Sequence, residues 1–103
     1  MMKRFFANEL TSQRGTDVLV SGWVHARRDH GCVIFIDLRD HTGLVQLVIN
    51  PDQEAVFNLA ESLRDEFVIS ATGQVRERGE GLVNPNIDSG SIEISVSELT
   101  ILN

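Results

Sequence analysis

The sequence lacks the features that mark secreted, membrane-spanning or metal-binding proteins. Cys32 is the only cysteine among 103 residues, so an internal disulfide is impossible, which fits a reducing compartment. The three histidines and this cysteine are scattered without metal-ligand spacing. No apolar run approaches the length of a membrane span, and the segment MMKRFFANEL lacks the apolar stretch of a signal peptide. We therefore expect a cytoplasmic protein without a metal centre.

The sequence also lacks the usual arrangements of catalytic residues. No Ser-His-Asp set, no carboxylate pair spaced for acid–base catalysis and no glycine-rich phosphate loop stands out. The length predicts one domain over residues 1–103, and 42% hydrophobic with 23% charged residues is typical of a globular protein. The expected activity of this domain is binding, with no cofactor and no enzymatic chemistry of its own.

Charge alone does not identify a partner. The formal net charge of −6 argues against a nucleic acid, but the two signs fall in different segments. Acidic residues crowd one predicted helical segment, namely Asp52, Glu54, Glu61, Asp65 and Glu66. Five of the nine basic residues lie in or beside predicted strands, namely Arg27, Arg28, Arg39, Arg76 and Arg78. If the helix and the strands present different surfaces, an acidic protein still carries a basic face.

Residues 32–49, CVIFIDLRDHTGLVQLVI, predict two strands joined by a turn, because apolar residues alternate along both runs. The residues expected to face the core are Ile34, Ile36, Leu38, Val45, Leu47 and Ile49. A hairpin through DHTG pairs Phe35 with Val48 and Asp37 with Gln46, all on the opposite face. Phe35 is thus an aromatic ring set among charges on the outer face, with Gln46 as a neighbour.

A helix is predicted over residues 50–66, where an apolar stripe recurs at positions i, i+3, i+4 and i+7. The stripe consists of Val56, Leu59, Ala60 and Leu63. Asn50 is expected to cap this helix, with Pro51 at its first position.

The other segments complete a recognisable order of elements. Residues 17–31 predict a long first strand, with a bend or bulge at Gly22 and the RRDHG loop at its end. Residues 67–78 and 91–99 predict two further strands, separated by a Gly-, Asn- and Pro-rich loop. Three strands, a helix and two strands predict an OB-fold. This is an all-β fold with one helix, a five-stranded Greek-key barrel whose helix lies between strands 3 and 4.

An OB-fold binds ligands on the face of strands 2 and 3 and on the loops between strands 1 and 2 and strands 4 and 5. The candidate binding residues that fall there are Arg28, His30, Phe35, Gln46, Arg76, Arg78, Asn84 and Glu93. Phe35 is either a stacking platform for an unpaired base or a ring packed under a loop or an absent domain. Gln46 either pairs with a base edge or is an ordinary surface glutamine.

The charged candidates also leave two interpretations open. The arginines can bind phosphates or stack on bases, but lone arginines are usually only solvated. Glu93 can accept a hydrogen bond from a base amino group, or it is an outward charge on a strand. Asp29 and Asp37 are expected to pair with nearby arginines. Trp23 is expected in the core.

Several stretches resemble one protein family closely. VSGWVHARRDHGCVIFIDLRDHTGLVQLVINPD, LRDEFVISATGQVR and NPNIDSGSIEI resemble the N-terminal anticodon-binding domain of bacterial-type aspartyl-tRNA synthetases. The likeness extends from Val18 to Asn103, although the Gly-Trp-Val opening and the F-x-D-L-R-D pattern also occur in lysyl- and asparaginyl-tRNA synthetases. His41 stands where Arg is common and Cys32 where a small residue is usual, and neither is a predicted base contact.

The resemblance implies specific roles and partners. Phe35 is expected to stack on the central uracil of the anticodon, Gln46 and Arg28 to contact base edges, and Glu93 to help recognise a flanking base. The parent is expected to be a homodimeric class II aspartate–tRNA ligase that uses ATP and Mg²⁺, with catalytic motifs beyond Asn103. This chain would then be an excised, monomeric domain that binds the anticodon loop of tRNA(Asp).

His30 extends this expectation to a second tRNA. Family members with His in the RRDHG loop tend to charge both tRNA(Asp) and tRNA(Asn), whereas members that charge only tRNA(Asp) tend to carry Leu there. We therefore expect recognition of the aspartate anticodon GUC and of the asparagine anticodon GUU. The alternatives are a solvent-exposed His30, a generic single-strand-binding module, a lysyl or asparaginyl synthetase domain, and a purely structural or protein-interaction OB domain.

Overall fold

The computed structural model describes residues 4–79, 82–85 and 89–103, so part of the predicted loop over 79–90 lies outside the described residues. A 3-10 helix (Ala7–Ser12) precedes the first strand. The strands and the α-helix are β1 (Asp17–His30), β2 (Val33–Asp40), β3 (Gly43–Ile49), α1 (Glu54–Ala60), β4 (Val68–Glu77) and β5 (Ile92–Ile101).

The five strands form a closed barrel in the order β1-β2-β3-β5-β4. The first half of the long β1 pairs with β4, and its second half pairs with β2. Parallel pairing of β3 with β5 closes the barrel, and α1 lies in the chain between β3 and β4. The predicted OB-fold, with its five strands and one helix in this order, is confirmed.

Alternation along the strands builds one core. In β2 the even-numbered residues are buried and the odd-numbered ones are half-buried, as the sequence predicts. The largest fully buried side chains are Leu10, Ile34, Ile36, Leu38, Leu47, Ile49, Leu63, Ile69, Ile92 and Ile94. The alternation is weaker in β3, where the outward Val48 is only 3% exposed. Val48 lies between Phe35 on β2 and Ser95 on β5, so neighbouring strands flank it on both sides.

Glycine permits the close strand approach that closing the barrel requires. A Cβ atom on Gly22 would lie 2.2 Å from the carbonyl oxygen of Arg39, and one on Gly73 would lie 2.2 Å from that of Ser95. Of the bend or bulge predicted at Gly22, the bulge lies elsewhere, because the register of β1 against β2 shifts between Val24 and Ala26. The glycine is needed for contact with the backbone of β2, and the irregularity follows two residues later.

Two hairpins differ in detail from the sequence prediction. The pairs Phe35–Val48 and Asp37–Gln46 are confirmed, and the turn between β2 and β3 narrows to His41 and Thr42. The RRDHG segment is mostly strand, since β1 continues to His30. Pairing of His30 with Val33 leaves only Gly31 and Cys32 in the turn, and Gly31 has a φ of +65°.

The helix is shorter than predicted and begins later. The backbone N–H of Gln53 donates to the carbonyl of Asn50, so Pro51 and Asp52 occupy the centre of a turn, where proline is favoured. Gln53 is therefore the N-cap in place of Asn50. Leu63 lies beyond the end of the helix but is buried all the same.

Trp23 is on the surface, contrary to the prediction that it lies in the core. Its side chain is among the large hydrophobic side chains that the solvent reaches, at 38% exposure. Trp23 pairs with Arg39 on β2 and with Val68 on β4, whereas the next residue, Val24, points into the barrel. Alternation along β1 thus places Trp23 on the outer face.

Asp40 joins the 3-10 helix to the β2–β3 turn. Its carboxylate accepts from the N–H of Ala7 at 2.8 Å, from the N–H of Thr42 at 2.7 Å and from the Thr42 hydroxyl at 2.6 Å. Burial by itself raises the pKa of Asp40, but the hydrogen bonds from Thr42, Ala7 and Gly43 outweigh it and leave the pKa lowered. The ionised form is therefore the one that stabilises the fold.

We predict that Asp40→Asn lowers the free energy of unfolding by about 1.5–3 kcal/mol at pH 7, because hydrogen bonds to a charged acceptor are lost. A folded-state pKa below the unfolded value means that this contribution is present above about pH 4 and is lost as pH falls through the folded pKa. Urea unfolding from pH 7 to pH 3 measures the difference. The exposed Asp52→Asn is the control, and a difference for Asp40→Asn that persists unchanged to pH 3 would contradict the prediction.

Candidate nucleic-acid interface

An open depression of about 320 Å³ lies on the outer face of the barrel. Its lining combines apolar, basic and acidic side chains, namely Arg28, His30, Phe35, Gln46, Arg78, Leu82 and Glu93. Six of the eight candidate residues from the sequence therefore lie in one place. A lining of apolar side chains with a few polar groups is typical of ligand-binding sites, where the apolar part binds the flat faces of a ligand and the polar groups fix its orientation.

The β-hairpins position the central residues of this depression. Phe35 pairs across the strands with Arg28 on one side and Val48 on the other. Gln46 is two residue pairs further along the β2–β3 ladder, opposite Asp37. Phe35 is half-buried and lines the depression, whereas Gln46 is 9% exposed. The expected proximity of Phe35 and Gln46 on one outer face follows from this register.

The polar side chains form one continuous chain of hydrogen bonds. Arg28 donates to both carboxylate oxygens of Asp37, at 2.6 and 3.1 Å, and to Oε1 of Gln46 at 3.0 Å. Nε2 of Gln46 donates to Oε1 of Glu93 at 3.1 Å, and Nε of Arg76 donates to Oε2 of Glu93 at 2.7 Å. Successive members come from β2, β1, β3, β5 and β4, so the chain crosses every strand of the barrel.

The two carboxylates in this chain of hydrogen bonds are largely buried. The side chain of Glu93 is 11% exposed and that of Asp37 is 22% exposed, whereas Arg28 and Arg76 are nearly half exposed. Carboxylates with this little solvent need partners, and here each has an arginine. The sequence placed Glu93 on an outward face, and the structure covers that face with arginine and glutamine side chains.

Positively charged side chains outnumber negatively charged ones around the depression. The hydrogen bond from Arg28 to Asp37 raises the pKa of Arg28, despite partial burial. Burial lowers the pKa of Arg78, against the attraction of Glu93 and Asp37. Nε of Arg78 donates to the carbonyl of Ile92 at 3.0 Å, which holds this arginine at the rim. Three arginines thus stand beside two carboxylates on this face, although the whole chain is acidic.

The remaining candidates differ in position. His30 is exposed at the end of β1 and lines the depression, while Arg76 reaches it through Glu93. Asn84 lies in the β4–β5 connection, where its N–H donates to the carbonyl of Gly90, and is not among the lining residues. Leu82, which is 65% exposed, was missed in the sequence. An apolar Leu-Val pair inside a polar loop is the signal that could have identified it.

The expected pairing of acidic residues with arginines is observed. Asp37 binds Arg28, and Asp29 binds Arg27 through Nε at 2.8 Å and Nη2 at 2.9 Å. Within the described ranges, no group of three His, Cys, Asp or Glu residues could hold a metal ion. The described part of the chain also contains no helix that is long and apolar enough to cross a membrane.

Comparisons with known proteins agree with this architecture. An aspartate–tRNA(Asp/Asn) ligase from Magnetococcus marinus is 51% identical over 105 residues, covering 100% of this chain and 17% of that protein. Asparaginyl-tRNA synthetase from Pyrococcus horikoshii, solved with asparaginyl-adenylate, superposes with a TM-score of 0.81 at 26% identity, covering 100% of this chain and 23% of that one. This chain is thus a small part of the length of both relatives.

A third relative has almost the same extent as this chain. An OBody bound to hen egg-white lysozyme superposes with a TM-score of 0.83 at 25% identity, covering 100% of this chain and 95% of that one. A family model described as an OB-fold nucleic acid binding domain (tRNA anti-codon) matches residues 18–102. This chain therefore belongs to the tRNA anti-codon family of OB-fold nucleic acid binding domains.

Proposed function

We propose that the depression binds unpaired bases of a tRNA anticodon loop and recognises the anticodons GUC and GUU. The observation that carries this proposal is the placement of a half-buried aromatic ring, Phe35, and the hydrogen-bonding amide of Gln46 in the lining of one depression. Sequence-specific RNA recognition typically uses this combination, because a splayed base offers one flat face for stacking and one polar edge for hydrogen bonds.

The ring of Phe35 supplies the stacking surface. Phe35 lies in the middle strand β2, and its cross-strand partners are Arg28 on β1 and Val48 on β3. Stacking of a base on such a ring contributes about 1–3 kcal/mol and depends little on which base is present. Phe35 therefore supplies affinity, and the identity of the base must be read elsewhere.

The polar chain, meaning the hydrogen-bonded side chains from Asp37 through Arg28, Gln46 and Glu93 to Arg76, supplies the contacts that distinguish bases. Gln46 can donate and accept at once, Arg28 donates, and Glu93 accepts, so the three together address both kinds of group on a base edge. Arg78 and the exposed side of Arg76 are suited to phosphate oxygens of the same loop. The proposed contacts are those of a short single-stranded segment.

The parent protein is proposed to be a cytoplasmic aspartate–tRNA ligase that charges tRNA(Asp) and tRNA(Asn). Support comes from the relative whose name states that activity, of which this chain covers 17%. ATP, Mg²⁺ and aspartate would be used by residues outside this chain, and the residues described here serve only to bind the tRNA.

An asparaginyl-tRNA synthetase domain is the second candidate, favoured by the superposition on the Pyrococcus horikoshii enzyme. Binding of anticodon stem-loops separates the possibilities. Comparable binding of GUC and GUU supports the proposal, and selective binding of GUU supports the asparaginyl alternative. Equal binding of unrelated loops indicates a generic single-strand-binding module, and no binding at all points to a structural role.

We predict that Phe35→Ala weakens binding of a GUC stem-loop by about 1–3 kcal/mol, because the stacking surface is lost. Fluorescence anisotropy with a labelled stem-loop measures the change, and thermal unfolding checks the fold. Trp23→Ala is the matched control, since it removes another exposed aromatic ring that is not among the residues lining this depression. Unchanged affinity of Phe35→Ala together with a large drop in Tm would mean that the ring only packs.

His30 is the candidate for tolerance of both anticodons. The third anticodon base is cytosine in GUC and uracil in GUU. At the exocyclic position where they differ, cytosine has an amino group that donates and uracil has a carbonyl that accepts. Neutral imidazole carries a donor on one nitrogen and an acceptor on the other, so a ring rotation or tautomer change suits either base. The exposed position of His30, at the rim of the depression, leaves the ring room for such a rotation.

We predict that His30→Leu changes the ratio of the dissociation constants for GUC and GUU stem-loops, because leucine cannot adapt its hydrogen bonding to the third base and contacts elsewhere in the site then determine which base binds more tightly. The native chain should bind the two within a few-fold, and the variant should favour one by about fivefold or more. Titration of both stem-loops with both proteins measures the ratio, with His25→Leu as the control on the same strand but away from the depression. A native chain that rejects GUU, or a ratio unaffected by the substitution, would refute this role.

A further inference from the structure

The amide of Gln46 lies between two groups of opposite charge. Its Oε1 accepts from the guanidinium of Arg28 at 3.0 Å, and its Nε2 donates to the carboxylate of Glu93 at 3.1 Å. A guanidinium can only donate, and an ionised carboxylate can only accept. Rotating the amide by half a turn would set NH₂ against the guanidinium and the carbonyl against the carboxylate, so the neighbours determine which way the amide points.

Each neighbour is itself held from its far side. Asp37 grips Arg28 with two hydrogen bonds, at 2.6 and 3.1 Å, and Arg76 holds Glu93 at 2.7 Å. Gln46 and Glu93 are both 9% exposed, so little water is present to replace a lost partner. Asp37 and Arg76 thus hold the two neighbours of the amide, and within the described residues neither forms a hydrogen bond with the amide itself.

We propose that Asp37 and Arg76 are positioning residues that hold the Gln46 amide in one orientation and so determine which pyrimidine the site accepts. This inference rests on the proposed function and concerns how the same depression chooses its base. It assigns Arg76 a role through Glu93 in addition to any contact with phosphate, and it assigns a role in recognition to Asp37.

The choice follows from what the oriented amide still offers. An amide has two N–H donors and two acceptor lone pairs, and within the described residues one of each is used by Glu93 and Arg28. The remaining N–H and lone pair form one donor and one acceptor in a set order. Uracil presents an exocyclic acceptor beside a ring N–H, whereas cytosine presents an exocyclic donor beside a ring acceptor. An amide held in one order can match only one of these two patterns, whereas an amide free to turn can match both. The uracil expected at the central anticodon position assigns the held order to uracil.

The test compares dissociation constants for stem-loops with uracil or cytosine at the central anticodon position. The native chain is expected to prefer uracil. Asp37→Asn keeps the side-chain size but removes the charge that holds Arg28, and the uracil preference should fall by about fivefold or more, which corresponds to about 1 kcal/mol. Asp37→Glu, which restores the charge, should recover part of the preference.

Asp29→Asn is the matched control. Asp29 also binds its arginine, Arg27, with two hydrogen bonds and the variant changes the net charge equally, but the hydrogen bonds of this pair do not involve Gln46. The control variant should keep the full uracil preference, even if both variants bind RNA more tightly because a negative charge is removed. Equal loss of preference in the two variants would attribute the effect to charge alone and overturn the inference.

A second measurement needs no RNA. The side-chain amide protons of Gln46, observed by NMR in the free chain, should have widely separated shifts because one of them bonds to Glu93. Asp37→Asn and Arg76→Gln should bring the two shifts together, towards those of the exposed Gln53. Unchanged Gln46 shifts in both variants would show that the amide needs neither residue, which overturns the inference.

Failure of the inference and failure of the proposed function give different results. If Gln46→Ala weakens binding while Asp37→Asn leaves the base preference intact, the amide contacts RNA but Asp37 does not orient it, and only the inference fails. If Phe35→Ala and Gln46→Ala both leave stem-loop binding unchanged, the proposed function fails, and the NMR comparison still decides whether the amide is held.

Discussion

Closure of the barrel between β3 and β5 is the constraint on which the rest of the structure depends. The other strand pairs join over many residues, whereas this parallel seam consists of Leu47 with Ile94 and Val48 with Ser95. Without it, the sheet would have two open edges and the core side chains of both strands would face water. The hydrogen bond between Gln46 and Glu93 crosses the same seam on the outside. The closing point of the fold and the centre of the polar chain are therefore one place.

Because the polar side chains meet at the seam between β3 and β5, they can be held in fixed positions although they lie on the outer face. A side chain that selects a base must be held in one geometry, and exposed polar side chains are rarely held. Here the strands that meet at the seam bring glutamine, carboxylates and arginines within hydrogen-bond distance, so that each holds the next. Phe35 stands next to this ordered set and lines the same depression. The central polar side chains are therefore already held in place by one another in the free chain.

The acidic composition of the chain is compatible with this interpretation because the charges are separated in space. The exposed carboxylates Asp52 and Glu54 lie at the start of the α1 region, away from the depression lined by Arg28 and Arg78. Net charge describes the long-range field of the whole molecule, whereas contact with a short RNA loop depends on the charges within a few ångströms. A negative total therefore does not decide whether one face binds RNA.

Strand alternation and a short turn were enough to predict the pairing of Phe35 with Val48, because they act between residues close in the chain. The order of the elements predicted the barrel, and the known binding face of an OB-fold predicted where six of the candidate residues gather. The ends of two elements were misplaced because each depends on a tight turn: the N–H of Gln53 bonds to the carbonyl of Asn50 before α1, and pairing with Val33 extends β1 to His30. The burial of Val48 and the hydrogen bond from Gln46 to Glu93, which joins the two halves of the polar chain, could not be read from the sequence. They arise only when β5 comes to lie beside β3, which joins residues 47 positions apart, and no periodicity along the chain encodes that contact.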